Sequence, residues 1–238
     1  MTVVDLSRRL LKEVPEIAEG TTMLYLNDNG IKFITNIPTS TIHLIMFKNR
    51  LRKLHKLPRN IKFLNVHSNI IEAINHLPNL HSLNVNNNKI TTLSNLPHTL
   101  VELFANFNMI KTINPLPQNL RTLYLEGNNI TAIPDLPLSL RLLCLTNNKI
   151  TTITNLANVT EVYLDANKIT TIENISSSVC HLDLRFNKIK DVKQSLDLNL
   201  DLYIVDNSIN IKQLNLVLQL DLLYDLKKEK ILEQSFMF

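Results

Sequence analysis

The chain has 238 residues, a formal net charge of +4 and 45% hydrophobic residues, so it is long enough to bury a substantial core. Three glycines, no tryptophan and two cysteines argue against dinucleotide-binding folds, phosphate-binding loops, disulfide scaffolds and four-cysteine zinc modules. The first charge comes at Asp5 and no apolar run reaches the length of about 18 residues that a membrane span needs, so we expect an intracellular protein, cytoplasmic or nuclear, without a membrane segment.

The first predicted element is a cap over residues 1–20, which contains a degenerate repeat. Its apolar residues keep the spacing of the later repeats, and Arg9 takes the place of their recurring asparagine. These apolar residues are Val4, Leu6, Leu11, Val14 and Ile17. Because the open end of a repeat stack exposes apolar columns, we expect this segment to cover the first full repeat.

Ten repeats follow over residues 21–210, each marked by an asparagine 19 or 20 residues after the last. The asparagines are Asn29, Asn49, Asn69, Asn88, Asn108, Asn128, Asn148, Asn167, Asn187 and Asn207. Counted from the asparagine as position 0, apolar residues recur at −8, −5, −3, +2, +5 and +8. The alternation around −5 and −3 predicts a short strand with one buried face. The short amide is expected to bond backbone groups of the turn and of the adjacent coils, as a structural ladder.

This pattern, LxxLxLxxNxIxxIxxLP, resembles the leucine-rich repeat over roughly residues 3–210. The repeat length and the Leu-Pro pairs resemble the short repeats of bacterial secreted effectors, whereas the NxIxxIxxL half resembles the intracellular phosphatase-regulator type. The resemblance implies an α/β fold, a right-handed horseshoe solenoid with a parallel concave sheet of about 11 short strands. A coil this short leaves too little chain for a helix, so we expect a mostly irregular convex side.

Residues 211–238 are predicted to form a carboxyl-terminal capping helix and a tail. Apolar residues lie near helical spacing from Ile211 to Leu226, and Lys227, Lys228 and Lys230 come late, where they suit a helix carboxyl terminus. An amphipathic helix that binds a partner is the alternative interpretation of the same segment.

Neither a catalytic site nor a metal site is predicted. Cys180, His181 and Asp183 lie within four residues, but neighbouring side chains of a strand alternate in direction, so they do not converge as a nucleophile and a base would. The seven histidines are scattered without a completing cysteine or carboxylate cluster, and we expect no metal and no cofactor. Cys144, at position −4, is expected to be exposed.

A partner-binding surface is predicted on the outward side of the strands. Four of the five tyrosines share position −4 with one phenylalanine, and further phenylalanines occupy other outward positions. Exposed aromatic residues on a polar sheet are typical of protein-binding surfaces. The candidate residues are Tyr25, Phe47, Phe63, Phe104, Phe107, Tyr124, Tyr163, Asp165, Asp183, Phe186 and Tyr203. The acidic carboxyl-terminal half favours a basic segment as the ligand.

The sequence therefore predicts a monomeric, non-catalytic module for protein–protein interaction. The resemblance suggests a phosphatase or a host signalling protein as the partner. It also suggests an alternative role, an effector of a pathogen or a large DNA virus that acts inside the host cell. A second alternative is nucleic-acid binding through the basic residues at positions +1 and +3, which we rank lower because such a rim is usually a solvated edge.

Overall fold

A computed structural model describes residues 2–113, 115–154, 156, 158–194, 196 and 199–208. The chain divides into two compact units. The first contains residues 1–129 and 134–140, and the second contains residues 130–133 and 141–238. The helix predicted at 211–238 lies outside the described residues.

One short strand per repeat builds a parallel sheet in each unit. In the first unit the strands are β1 (Thr2–Asp5), β2 (Thr21–Tyr25), β3 (His43–Ile45), β4 (Phe63–Asn65), β5 (Ser82–Asn84), β7 (Glu102–Phe104) and β9 (Thr122–Tyr124), in this order across the sheet. In the second unit they are β10 (Leu142–Cys144), β11 (Glu161–Tyr163), β13 (His181–Asp183) and β15 (Asp201–Tyr203). The predicted short parallel strands are thus confirmed.

Equivalent positions of neighbouring repeats pair across each sheet. Leu103 pairs with Leu123 in the first unit, and Leu182 pairs with Leu202 in the second. Because the register shifts by one whole repeat per strand, each inward position becomes a column of apolar side chains. In one repeat of the first unit the residues at −8, −5, −3, +2, +5 and +8 are all buried, namely Leu100, Leu103, Ala105, Ile110, Ile113 and Leu116.

The asparagine of each repeat bonds backbone groups of two coils. The side-chain oxygen of Asn108 accepts the N–H of Ile90 at 3.0 Å, and its nitrogen donates to the carbonyls of Val85 and Ala105 at 3.0 and 3.1 Å. The bonds to the N–H of the preceding coil and to the carbonyl three residues earlier recur at all ten asparagines. They satisfy groups at the end of the strand that the sheet leaves unpaired.

A left-handed backbone conformation precedes every one of these asparagines. The residues with positive φ at position −1 are Asp28, Lys48, Ser68, Asn87, Phe107, Gly127, Asn147, Ala166, Phe186 and Asp206. This conformation turns the chain sharply out of the strand, and it is rare for residues other than glycine, asparagine and aspartate. The contacts of the whole repeat therefore fix this turn, since residues of several types adopt the left-handed conformation at position −1.

The side of the coils opposite the strands is mostly irregular, as expected, but contains short pairs that the sequence analysis did not predict. In the first unit β6 (Thr92–Leu93) pairs with β8 (Thr112–Ile113), and in the second β12 (Thr171–Ile172) pairs with β14 (Asp191–Val192). The described residues form strands, turns and irregular segments and contain no helix, and hence none that could cross a membrane. The α/β class is therefore wrong for this part of the chain, because a 20-residue coil has no room for a helix.

Candidate functional site

The outward side chains at positions −6, −4 and −2, together with the side chain of the left-handed residue at position −1, form what we call the strand face of each unit. In the first unit, phenylalanine and histidine rings at the same position of adjacent repeats stack on each other. His43 and Phe63 have ring centroids 4.4 Å apart and an interplanar angle of 2°, and Phe47 stacks on His67 at 4.5 Å and 10°. Parallel pairing of β3 with β4 brings the first pair together. The stacks leave Phe63 39% exposed.

A second aromatic cluster lies farther along the strand face of the first unit. Phe104 and Tyr124 stack with centroids 5.3 Å apart, because β7 and β9 pair with these residues opposite each other. Phe107 is 47% exposed at the left-handed position, φ 54°. A Cβ atom at Gly127 would come within 2.6 Å of the Phe107 ring. The glycine therefore gives this ring room to lie over the next repeat. Tyr25, by contrast, stands apart in β2 with its hydroxyl 3.0 Å from the sulfur of Met23.

His67 places a titratable imidazole in the stack with Phe47. Burial, and secondly the positive charge of Lys48, lower the pKa of His67 below its ordinary value of 6.5. The imidazole is therefore neutral at pH 7, and its Nδ1 lies 2.9 Å from the hydroxyl of Ser68. A neutral ring suits a stacked position beside Phe47, since protonation would place a further charge next to Lys48.

We expect the variant K48Q to raise the pKa of His67 without bringing it back to 6.5, because burial is the larger cause and remains. Proton NMR of the imidazole resonances across a pH titration measures the pKa of His67 in the wild type and in K48Q. Since the folded-state pKa is lowered, protonation of His67 favours unfolding, and its contribution to stability is lost as pH falls through 6.5 toward the folded-state pKa. A pKa of His67 at or above 6.5 in the wild type would contradict the effect expected from its burial and from Lys48.

On the strand face of the second unit, His181 lies between two tyrosines. Its ring centroid is 4.9 Å from that of Tyr163 and 5.2 Å from that of Tyr203. The Nδ1 atom is 2.8 Å from a carboxylate oxygen of Asp201, which itself is exposed. Glu161 is also exposed beside Tyr163, with its carboxylate 3.5 Å from the tyrosine hydroxyl. Aromatic rings and carboxylates thus share this surface.

Asp183 is not available to a ligand in the way that the sequence suggested. Its side chain is buried, and Arg185 binds it through Nε at 3.0 and 3.1 Å and through Nη2 at 2.6 Å. This bidentate bond raises the pKa of Arg185. The guanidinium also lies 5.6 Å from the centre of the Tyr203 ring. The charge of the Asp183 carboxylate is therefore neutralised by Arg185 within the protein.

The remaining predicted residues of the second unit differ in their exposure. Phe186 is 57% exposed at its left-handed position, φ 54°. Asp165 is half-buried and accepts a 2.6 Å hydrogen bond from the hydroxyl of Thr146. Cys144, expected to be exposed, is buried, with an exposed fraction of 7%, at a position that pairs with Tyr163 of β11. Cys180 is exposed, and His181 bonds Asp201 rather than the cysteine.

Sequence reasoning missed the histidines as members of these aromatic stacks. The signal was present, because His43 and Phe63 share position −6 of adjacent repeats, as do His181 and Asp201. Aligning each outward position with the same position of the next repeat would have paired them. Among the described residues, no group of three or more histidine, cysteine or acidic side chains could hold a metal ion.

Comparison with known proteins gives matches in fold rather than in sequence. No protein-family model and no curated protein matches the chain. Among solved structures, YopM from Yersinia enterocolitica WA-314 matches with a TM-score of 0.82 and 27% identity, over 88% of this chain and 47% of YopM. YopM from Yersinia pestis, described as a leucine-rich effector protein, matches with a TM-score of 0.75 and 27% identity, over 86% of this chain and 60% of that one.

The chain has the leucine-rich-repeat fold. It spans about half to three fifths of the length of these YopM chains. The same repeat fold occurs in the Drosophila Toll–Spatzle complex, which matches with a TM-score of 0.65 and 20% identity over 87% of this chain and 33% of that one. At that identity the likeness shows the leucine-rich-repeat fold alone.

Proposed function

We propose that this leucine-rich-repeat protein is a non-catalytic interaction module that binds a protein partner on its strand faces. The observation that supports this most strongly is the exposure of Phe107 and Phe186, 47% and 57%, at left-handed backbone positions. A bulky aromatic residue is an outlier in this conformation, and its ring gains nothing from contact with water. Rigid aromatic area of this kind supplies binding energy at low conformational cost when a partner covers it.

In the first unit, the ligand surface that we propose consists of the Phe104–Tyr124 stack and of Phe107, three residues after Phe104 in the same repeat. Phe104 and Tyr124 are half-buried by their mutual stacking, so their outer faces are preorganised rather than mobile. Gly127 leaves room for the Phe107 ring. Preorganised aromatic groups lose little rotamer entropy on binding, which favours this cluster as an apolar anchor site.

In the second unit, we propose that the strand face selects a basic segment. Glu161 and Asp201 are exposed beside the tyrosine–histidine stack, and Arg185, the arginine among the described residues of this face, is already bound to Asp183. A lysine or arginine of the partner would meet carboxylates at the edge of the stack and the faces of Tyr163 and Tyr203. This charge pattern supports a basic ligand over an acidic one.

Paired alanine variants of each strand face test the proposal. The wild-type protein, F104A/Y124A, Y163A/Y203A and the control K168Q/K188Q are immobilised, and proteins captured from a host-cell lysate are identified by mass spectrometry. The control residues are exposed lysines at position +1, outside the strand face. We expect a captured partner that the control retains and at least one aromatic variant loses.

With the purified partner, calorimetry should show binding weakened by at least about 2 kcal/mol in the affected variant, the scale of an interface hot spot. Circular dichroism checks that the fold is retained, as expected because these side chains point outward. A partner that survives both aromatic variants and is lost from K168Q/K188Q would contradict the proposed surface and favour an acidic ligand on the basic rim.

A role as an effector in a host cell is a second proposal, supported by the similarity to YopM, described as an effector protein. Under this proposal the captured partner is a host protein, such as a signalling protein or a phosphatase. Its test is the same capture carried out in parallel from the lysate of the source organism. Enrichment of the partner from the source organism alone would count against a host-directed role.

A further inference from the structure

The positive charge of this protein is concentrated in one stretch. Residues 29–71 contain eight lysines and arginines and no aspartate or glutamate. They are Lys32, Lys48, Arg50, Arg52, Lys53, Lys56, Arg59 and Lys62. The rest of the chain keeps 17 basic against 21 acidic residues, a net charge of −4. The overall charge of +4 therefore comes from about two repeats of the first unit.

Two surface clefts of about 390 and 420 Å³ lie within this basic stretch. Both are lined by Lys32, Phe33 and Arg52. The first cleft adds Lys53 and Lys56 to its lining, and the second adds Arg50. None of the described residues that line the two clefts is acidic, so an anionic ligand would meet positive charge on each side of Phe33.

Phe33 stands at the junction of the clefts with 71% of its surface exposed. It follows the turn of its repeat at position +4, away from the strand face, so the partner surface proposed above does not use it. The lysines and arginines that surround it are exposed as well. An exposed ring between hydrated cations can stack on a planar group while the cations approach its phosphates.

We propose that the clefts around Phe33 bind single-stranded nucleic acid. Proteins that bind such strands combine a positively charged groove for the backbone with aromatic rings on which bases stack. A phosphopeptide would need cations gathered around one phosphate, whereas here the cations extend beyond a single cleft, since Arg50 lines only the second and Lys53 and Lys56 line only the first. A ligand with repeating phosphates and intervening bases matches this extended arrangement, with one base on Phe33 and phosphates toward Arg50, toward Arg52 and toward Lys53 or Lys56.

The test is fluorescence anisotropy with a labelled oligothymidylate of about twelve nucleotides, a length on the scale of known single-strand sites. Titrations run from about 50 to 200 mM KCl, because each phosphate contact adds about −0.7 to the slope of log affinity against log salt. We expect R50Q/R52Q to reduce the magnitude of this slope by about 1.4. We expect F33A to weaken binding at least about fivefold, the low end of the effect of losing one stacked base.

K168Q/K188Q is the matched control, because it removes the same charge from the second unit. F104A/Y124A should bind the oligonucleotide as the wild type does, so failure of the proposed protein-binding surface and failure of this inference are distinguishable. Equal weakening by R50Q/R52Q and K168Q/K188Q, or unchanged binding by F33A, would overturn the proposal. The proposal would also be overturned if oligothymidylate did not bind while a phosphoserine peptide bound and R50Q/R52Q weakened that binding. This result would assign the clefts to a phosphoprotein.

Discussion

Asn108→Ala is expected to lower the free energy of unfolding by about 3 kcal/mol. The substitution leaves the buried N–H of Ile90 and the carbonyls of Val85 and Ala105 without the side chain that bonds them, and each unsatisfied buried group costs about 1 to 3 kcal/mol. Urea denaturation followed by circular dichroism measures the change. Because the same side chain bonds two coils, the loss falls on the joint between repeats rather than on one turn.

Asn79→Ala serves as the matched control for this prediction. Asn79 is exposed, and within the described part of the chain its main-chain carbonyl is bonded by Lys62 while its side chain makes no bond. The change should therefore stay within about 0.5 kcal/mol, as for most surface substitutions. Similar denaturation midpoints for the two variants would show that the asparagine bonds contribute little to stability.

Arg185→Ala is expected to destabilise the protein by about 2 kcal/mol. The substitution leaves the buried carboxylate of Asp183 without its bidentate partner, and breaking a buried ion pair costs about 3 to 5 kcal/mol when both groups are fully buried. The arginine side chain is 42% exposed, which reduces the expected loss. Thermal and urea unfolding both report the effect.

Asp183→Asn in the R185A background should restore part of the lost stability, since it removes the unpaired charge and keeps an acceptor for the N–H of residue 185. Lys193→Ala is the control, because its ion pair with Glu173 is largely exposed and is expected to contribute less than about 1 kcal/mol. If the double variant were as unstable as R185A alone, the cost would come from lost packing over Tyr203 rather than from the buried charge.

The spacing of apolar residues around each asparagine was enough to predict the strands, their inward faces and the use of the asparagine, because all three repeat with the chain. The pairs β6–β8 and β12–β14 were not predictable in the same way. Each strand has two residues, too few for an alternation to be recognised. Their formation depends on how closely adjacent coils pack on the side away from the main strands.

At the outward positions, the repeat pattern does not predict which side chains are buried. Position −4 was predicted to point outward at Cys144 and Asp183, yet both side chains are buried. Asp183 lies between Tyr163 and Tyr203 on the paired strands, and Arg185 covers it. Burial at an outward position thus depends on the size and rotamers of the neighbours, which the period of the sequence does not contain.

At the left-handed residue before each asparagine, the side chain sets the chemistry of the surface but does not determine the fold. Aspartate, lysine, serine, asparagine, alanine, glycine and phenylalanine all occupy this position with nearly the same φ, and most of the side chains are exposed. The backbone at this point is held by bonds from the neighbouring coils, as in the 2.7 Å bond from the N–H of Phe107 to the carbonyl of Glu126. The position is therefore suited to combinatorial redesign, in which one site per repeat is randomised to create new ligand specificities on an unchanged scaffold.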